Sequence, residues 1–429
     1  MKIPVLPRIT DDDKVQAMAH LSDSNVIEAV HEANRRYLHW DEVRFRDLPV
    51  DPQCIWILMK LFRGEGKESF TVLDLSFSYT LPARCLEILH QIDRTAGKSL
   101  SALVDTPVHD NDRYLISSMM EEAIASNQLE GAAMTRKVAR RMLEEQRKPG
   151  NRDEQMIVNG YRTMKEIHSF LSEDLTPDLL LRLQKMITYD TLSNPSDEGR
   201  FRDNDDIVVL DASGTILHTP PSRARIPDLL DALCKFANAE PESFIHPIVK
   251  GIVLHFLIGY IHPFNDGNGR TARTVFYWYV LKNDYHIFEY LPISRRIYDT
   301  RGQYKRAYLY TETDDLDLTY FIRYNVGVID ETITDLRRYI DKNQKDLIAS
   351  ISSSEFSDEL NLRQIEILKR MMQYPDRPIT IKAVSEVYHV AYATARSDLL
   401  ELVDSGYLLK RKVGREFLFF YRQSSKHLS

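Results

Sequence analysis

The chain is poor in the features that mark secreted, disulfide-stapled or membrane-spanning proteins. Its three cysteines, Cys54, Cys85 and Cys234, are an odd number, far apart, and form none of the paired spacings used for zinc or redox work, so a reducing compartment is expected. No apolar run approaches the ~20 residues needed to cross a bilayer. The opening Met-Lys-Ile-Pro-Val-Leu-Pro-Arg lacks the apolar core of a signal peptide, so a cytoplasmic protein with no membrane partner is expected. Positive charge is short as well. A formal net charge of -7 argues against wholesale nucleic-acid binding, although a local basic patch can sit inside an acidic total. What is present, 43% hydrophobic and 28% charged residues, is ordinary for a folded globular chain, and 429 residues exceed what one hydrophobic core serves, so two or three domains are expected.

The most informative stretch is 261–273, Ile-His-Pro-Phe-Asn-Asp-Gly-Asn-Gly-Arg-Thr-Ala-Arg. An apolar helical run over 248–261 is stopped by Pro263, because the residue before a proline is pushed out of the helical region. Two glycines around Asn268 allow a turn that side chains would obstruct, and Arg270 is expected to open a second helix. Loop amides facing a helix N-terminus form an anion nest, for which phosphate is the natural guest. His262 can accept a proton near neutral pH, Asp266 can hold Mg2+, and Arg270 and Arg273 lie three apart on one helical face. Base, metal ligand, anion hole and cationic clamp thus converge on one loop. A bare helix-helix turn would need no such clustering.

This loop resembles that of the Fic family, whose pattern His-x-Phe-x-Asp/Glu-Gly-Asn-Gly-Arg-x-x-Arg is met from His262 to Arg273 without a departure. Upstream, Ser126-Asn-Gln-Leu-Glu130-Gly131 matches the family's inhibitory motif Ser/Thr-x-x-x-Glu-Gly/Asn; read alone, it is also an ordinary helix end with a C-cap glycine. The resemblance covers roughly 111–329 and implies a protein adenylyltransferase that moves AMP from ATP to a Ser, Thr or Tyr hydroxyl of a target protein, with Mg2+ as cofactor. It implies His262 as base, Asp266 as metal ligand, and Gly267, Asn268, Gly269, Arg270 and Arg273 around the polyphosphate, with Asn268 orienting either the α-phosphate or the loop itself. Ser126, Glu130 and Gly131 become the inhibitory set, with Glu130 occupying Arg273. Relatives that transfer phosphate carry a bulky cation where this chain has Gly269. Family members often have adjacent tyrosines around the adenine, whereas this chain has Tyr304-Lys305, leaving Tyr304 as the candidate there.

The remainder is read by pattern. Residues 1–105 are a mixed α/β extension of unassigned role, with a helical stretch at 13–36; His39 beside Trp40 reads as a packing pair. Residues 111–146 are expected to be helical, with Leu115, Met119, Glu122 and Ser126 on related faces, and 153–172 and 176–190 as amphipathic scaffold helices. Gly199-Arg-Phe-Arg202 precedes two strand-like runs about Gly214, expected to be a hairpin. In the resembling family such a flap, here Ile207, Val208, Val209 and Leu210, accepts the target segment by strand addition. His218 at its end reads as surface or turn. Helices follow at 226–238 and 247–261. A metal pair of His255 with His262 is rejected for want of a third ligand, in favour of a buried histidine bonded to backbone.

Past helices at 271–282, 304–310 and 316–339, a serine-rich stretch suggests a linker over 346–360. Three helices and a hairpin then resemble a winged helix-turn-helix over 361–429, which holds twelve Lys or Arg and seven Asp or Glu, a local +5. Thr394, Arg396 and Ser397 would lie on its recognition helix and Lys410, Arg411, Lys412 and Arg415 on its wing, facing DNA or protein. The expected fold class is therefore mainly α: a Fic-type helical bundle at 106–345 with a small β-hairpin flap, the N-terminal extension and the C-terminal winged helix. Two other functions stay in play, a hydrolase removing AMP at the same site and a nucleotide-sensing transcription regulator. Self-association is left open.

Overall fold

The computed structural model describes residues 2–96, 111–211, 213–239, 244–352, 360–373, 378–388, 390–413 and 416–422. The fold is mainly α with three small antiparallel sheets, as expected. It divides into two units, Met1–Ser99 with Asp112–Leu336, and Leu100–Asn111 with Arg337–Ser429. No described helix is long and apolar enough to cross a membrane.

The first unit is built on two consecutive helices, Pro247–Ile261 and Asn268–Lys282. The first is apolar on every side, and a helix of that kind can only be a core helix; Ile252, Val253, Phe256 and Leu257 are fully buried. Its one internal charge, Lys250, reaches out to the Ala239 carbonyl at 2.9 Å. The second helix buries Val275, Trp278 and Val280. Pro177–Thr188 packs on the second of the pair and Ile226–Asn238 on the first, and Arg152–Glu166 packs in turn on Pro177–Thr188. Asn111–Leu129 and Arg136–Glu144 replace the single helix expected at 111–146. Gly131, at φ +95, turns the chain between them, a conformation that only glycine adopts without strain.

The N-terminal segment is anchored on this bundle by buried polar contacts. Helices Asp11–Ala19 and Ser24–Arg35 pack on Pro52–Gly64 around Val26, Val30, Ile55 and Leu58; the break between the first two corrects the continuous helix read at 13–36. Arg63, buried, donates to Asn34, the Leu38 carbonyl and the Tyr320 hydroxyl. Tyr37 and Lys67 both reach Asp317 at 2.7 Å, and Lys60 reaches Asp314 at 2.6 Å. His39 stacks on Tyr310 at 4.0 Å and meets Trp56 edge-on, so its packing partners lie away from the adjacent Trp40. A hairpin, Glu68–Val72 with Leu75–Tyr79, pairs Phe70 with Phe77.

The flap is a shorter hairpin than its sequence suggests. Only Val209–Leu210 and Ile216–His218 pair, with a bulge between Val209 and Leu210, so Ile207 and Val208 lead into the strand instead of forming it. The helix Thr319–Ser352 begins in the first unit, which ends at Leu336, and continues into the stretch read as a linker as far as Ser352; residues 353–359 lie outside the described residues.

The second unit has its own core of Ile367, Leu368, Val384, Leu399, Leu402 and Phe419. Helices Leu362–Gln373, Ile381–Val387 and Tyr392–Asp404 are followed by the hairpin Leu408–Val413 with Glu416–Tyr421, and Ile379–Thr380 adds a third strand beside Glu416–Tyr421. Thr394, Arg396 and Ser397 are exposed on Tyr392–Asp404, as are Lys410, Arg411 and Lys412 on the hairpin; Arg415 lies outside the described residues.

Candidate active site

The site grows from the way the Pro247–Ile261 helix ends. Its C-cap is His262, in the left-handed region at φ 50 and ψ 57, with its amide donating to Ile258. Glycine normally takes this position because a side chain there costs roughly 1–2 kcal/mol. Arg202, almost fully buried, stabilises the strained turn. Its Nε donates to the His262 carbonyl at 2.9 Å, its backbone amide to the Pro263 carbonyl at 2.9 Å, and its remaining guanidinium nitrogens to Asn204, Asp205 and the Pro221 carbonyl. The sequence reading quoted Arg202 without giving it a role, because its partners lie far off in the chain.

The cap turns the imidazole so that Nδ1 lies 3.1 Å from the Gly259 carbonyl. A carbonyl only accepts, so Nδ1 carries the proton and Nε2 keeps its lone pair. Burial, with lesser contributions from the charges of His218 and Arg202, overrides the Gly259 bond and Glu130 and brings the His262 pKa down to about 4. At neutral pH the ring is an uncharged base aimed by its backbone bond.

The next residues are held by short-range braces. Phe264 is fully buried and stacks on Phe201 at 5.3 Å, an apolar anchor beneath the loop. Asn268 accepts from the Phe264 amide at 2.9 Å and donates to its carbonyl at 2.7 Å. Both ends of its amide are engaged with the backbone, which makes Asn268 a brace of the loop, the second of the two roles read for it from sequence. Gly267, at φ +88, is the N-cap, and the helix opens at Asn268, two residues earlier than the Arg270 start read from sequence. A Cβ on Gly267 would lie 2.8 Å from Thr188 Cγ2. The first intrahelical bond here runs from the Thr271 amide to the Gly267 carbonyl, so the amides of the first turn face outward as an anion site.

The charged residues divide into two clusters. Asp266, 39% exposed, meets Arg270 at 3.1 Å and Arg152 at 3.4 Å, while Gln184 holds its carbonyl. Arg270 also donates to the Ile187 carbonyl, and its Nε is buried with no hydrogen-bond partner among the described residues. Arg273 instead turns toward the Asn111–Leu129 helix: its Nε donates to the Ser126 hydroxyl and its Nη2 to the Ser126 carbonyl and Glu130, each at 2.9 Å. Burial opposes the charge on Glu130, but Arg273 and then Arg270 more than offset it and hold the carboxyl below its usual range. A Cβ on Gly269 would fall 2.3 Å from Glu130 Oε1, so a side chain there would have to displace that carboxylate. The two arginines, paired by spacing, thus point to different partners.

Tyr304 closes the site's far side. Its hydroxyl meets His255 Nε2 at 2.9 Å, and Tyr308 packs on it edge-on one turn later. His255 is buried as expected, but its partner is this side chain; burial and then Arg273 push its pKa down to about 3. His218, read as surface or turn, is half-buried between Glu312 and the Tyr260 carbonyl, each at 2.8 Å. Glu122, one turn before Ser126, is buried against the Tyr277 hydroxyl and the amide and hydroxyl of Ser294. Among the described residues no group of three or more His, Cys, Asp or Glu side chains is arranged to hold a metal.

Residues 174–280 match the model of the Fic/DOC family. The chain is 25% identical over 253 residues to a Nematostella vectensis protein named protein adenylyltransferase Fic, covering 58% of this chain and 55% of that one. A Drosophila melanogaster protein of the same name is 27% identical over 201 residues, 44% of this chain and 39% of that one. The chain therefore spans about half the length, or less, of these curated relatives. In fold, it is similar to a Fic family protein from Desulfovibrio desulfuricans, with a TM-score of 0.53 at 17% identity over 81% of this chain and 98% of that one. It is similar also to a Fic-1 fragment from C. elegans, with a TM-score of 0.51 at 17% identity over 78% and 92%.

Proposed function

We propose, from the Fic/DOC match over 174–280, that the protein is an adenylyltransferase moving AMP from ATP to a Ser, Thr or Tyr hydroxyl of a target protein, and that Glu130 holds it inactive at rest. The observation that carries this reading is the state of His262: proton on Nδ1, lone pair on Nε2, no charge, next to a helix N-terminus bearing two buried arginines.

In the reaction, Nε2 of His262 takes the hydroxyl proton as the target oxygen bonds to the α-phosphorus; the bond from that phosphorus to its bridging oxygen breaks and pyrophosphate leaves. The outward amides of 267–270 and the unpartnered Nε of Arg270 fit the polyphosphate. Asp266, a single partly exposed carboxylate beside this nest, would hold Mg2+. When bound, the ion neutralises charge on the departing pyrophosphate. The unpaired edge of Val209–Leu210 suits docking of a target segment by strand addition, with Ile207 and Val208 leading in.

Glu130 occupies Arg273, the cation that a γ-phosphate would otherwise meet. Replacing it should release the enzyme: Glu130→Gly is expected to raise automodification with ATP by roughly 5- to 150-fold, the usual span of a coupling free energy. Equal labelling of the two proteins would remove the inhibitory role.

The Glu130 side chain keeps 27% exposure, enough to orient a water, which favours a second reading, hydrolytic removal of AMP from a modified protein. Release of free AMP from an AMP-modified target would select it. The exposed Lys410, Arg411 and Lys412 of the second unit support DNA contact by a winged helix-turn-helix there. That contact predicts a salt-dependent mobility shift with DNA, and absence of binding at low salt would remove it.

A further inference from the structure

We infer that His218 is a positioning residue, locked as an imidazolium between Glu312 and the Tyr260 carbonyl, where it fastens the flap to the helix that ends in the base and adds a positive charge on that side of it. The inference rests on the adenylyl-transfer reading only for the role of His262.

The geometry fixes the charge. Both ring nitrogens of His218 face oxygens at 2.8 Å: Nδ1 faces Glu312 Oε2 and Nε2 faces the Tyr260 backbone. A carbonyl only accepts and an ionised carboxylate only accepts, so both nitrogens must donate. With side chains 10% and 17% exposed, the pair lies largely out of water, where an ion pair is screened little. A neutral ring would leave one of these contacts without a proton.

The position of that charge gives it a role. His218 ends the second flap strand, whereas Glu312 belongs to the Arg301–Thr313 helix and Tyr260 to the last turn before His262. The ring also packs against that of Tyr260 at 5.1 Å. One side chain therefore links the target-docking strand to the helix that ends in the base. His262 feels a positive charge from His218 and another from Arg202, against the negative charge of Glu130. Arg225 and Asp74 face Tyr260 from the outer side with opposite signs. The charges that favour an uncharged His262 are thus Arg202, which cannot titrate, and His218, which can.

The test uses histidine-labelled full-length protein in the Glu130→Gly form, with long-range nitrogen-proton NMR spectra assigned by His218→Gln and His262→Ala. The expected result is two protonated nitrogens on His218 at pH 7. In His218→Gln, the titration of His262 and the acid limb of the transfer rate should both move up by about one pH unit, the order of effect of one nearby unit charge. A neutral His218 at pH 7, or a slower variant whose acid limb stays in place, would overturn the inference, because a purely structural contact changes rate without moving the limb. Should His218→Gln not fold, Glu312→Gln must leave His218 with a single ring proton at pH 8, and a ring still doubly protonated there contradicts the pairing. Lack of AMP transfer by the Glu130→Gly parent would count against the adenylyl-transfer reading alone, since the NMR spectra still decide the state of His218.

Discussion

At the scale of single residues, what matters is which atom holds which proton. With His262 at about 4, transfer should stay flat from pH 8 down to about 5 and fall only as the imidazole protonates below that. A rate that drops near pH 6.5, the ordinary value for histidine, would mean that the ring is not held neutral. Gly269→Ala tests the contact opposite the base. In the parent protein its methyl would displace Glu130 from Arg273, a loss of ~1–3 kcal/mol for a buried charged bond, whereas in a Glu130→Gly background the clash disappears. Thermal melts of the four proteins give the coupling, and additive effects would contradict it. The types of residue in the loop were legible in the sequence because catalysis needs a base, an acid and arginines close together in the chain. Their orientations were not. The His262 tautomer depends on a carbonyl one turn back, and the contacts of His218 on Glu312 far along the chain.

At the scale of elements, periodicity predicted helices well and their interruptions poorly. Residues 226–238 and 247–261 match the structure residue for residue, since apolar spacing and flanking prolines mark both ends. The break after Ala19 was missed because polar residues carried the helical pattern across it, whereas the one after Leu129 was marked by Gly131. The loop and the inhibitory helix yield separate predictions. Asn268→Ala removes two buried bonds to Phe264 and should destabilise the first unit by about 1–3 kcal/mol, read by chemical denaturation; an unchanged midpoint would mean that the brace is dispensable. Glu122 is fixed by Tyr277 and Ser294 two turns before Glu130, so Glu122→Ala should loosen the Asn111–Leu129 helix and raise automodification while Glu130 is intact. No gain in labelling from that variant would show that the helix is held by other contacts.

At the scale of the whole molecule, the N-terminal segment and the bundle share buried polar groups, and acid should act on them together. Burial brings His39 down to about 4 and His255 to about 3, beside His262 at about 4, whereas unfolded histidines titrate near 6.5. Groups kept neutral in this way bind more protons when unfolded, so stability is fully present above about pH 6.5 and is lost as pH falls toward 4. The melting temperature of the first unit should therefore drop clearly between pH 7 and pH 5, and a constant value would contradict the buried neutral state. The docking of the N-terminal segment was not legible in sequence, because Arg63, Tyr37 and Lys67 find their partners some 250 or more residues away. The central claim concerns which part of ATP is transferred and by which base. The most direct measurement compares Glu130→Gly with the Glu130→Gly, His262→Ala double variant, using ATP labelled at either the α- or the γ-phosphate. The account predicts protein labelling from the α-label alone and a loss of about 10²- to 10⁴-fold in the double variant; γ-label on protein, or equal labelling of the two variants, would contradict it.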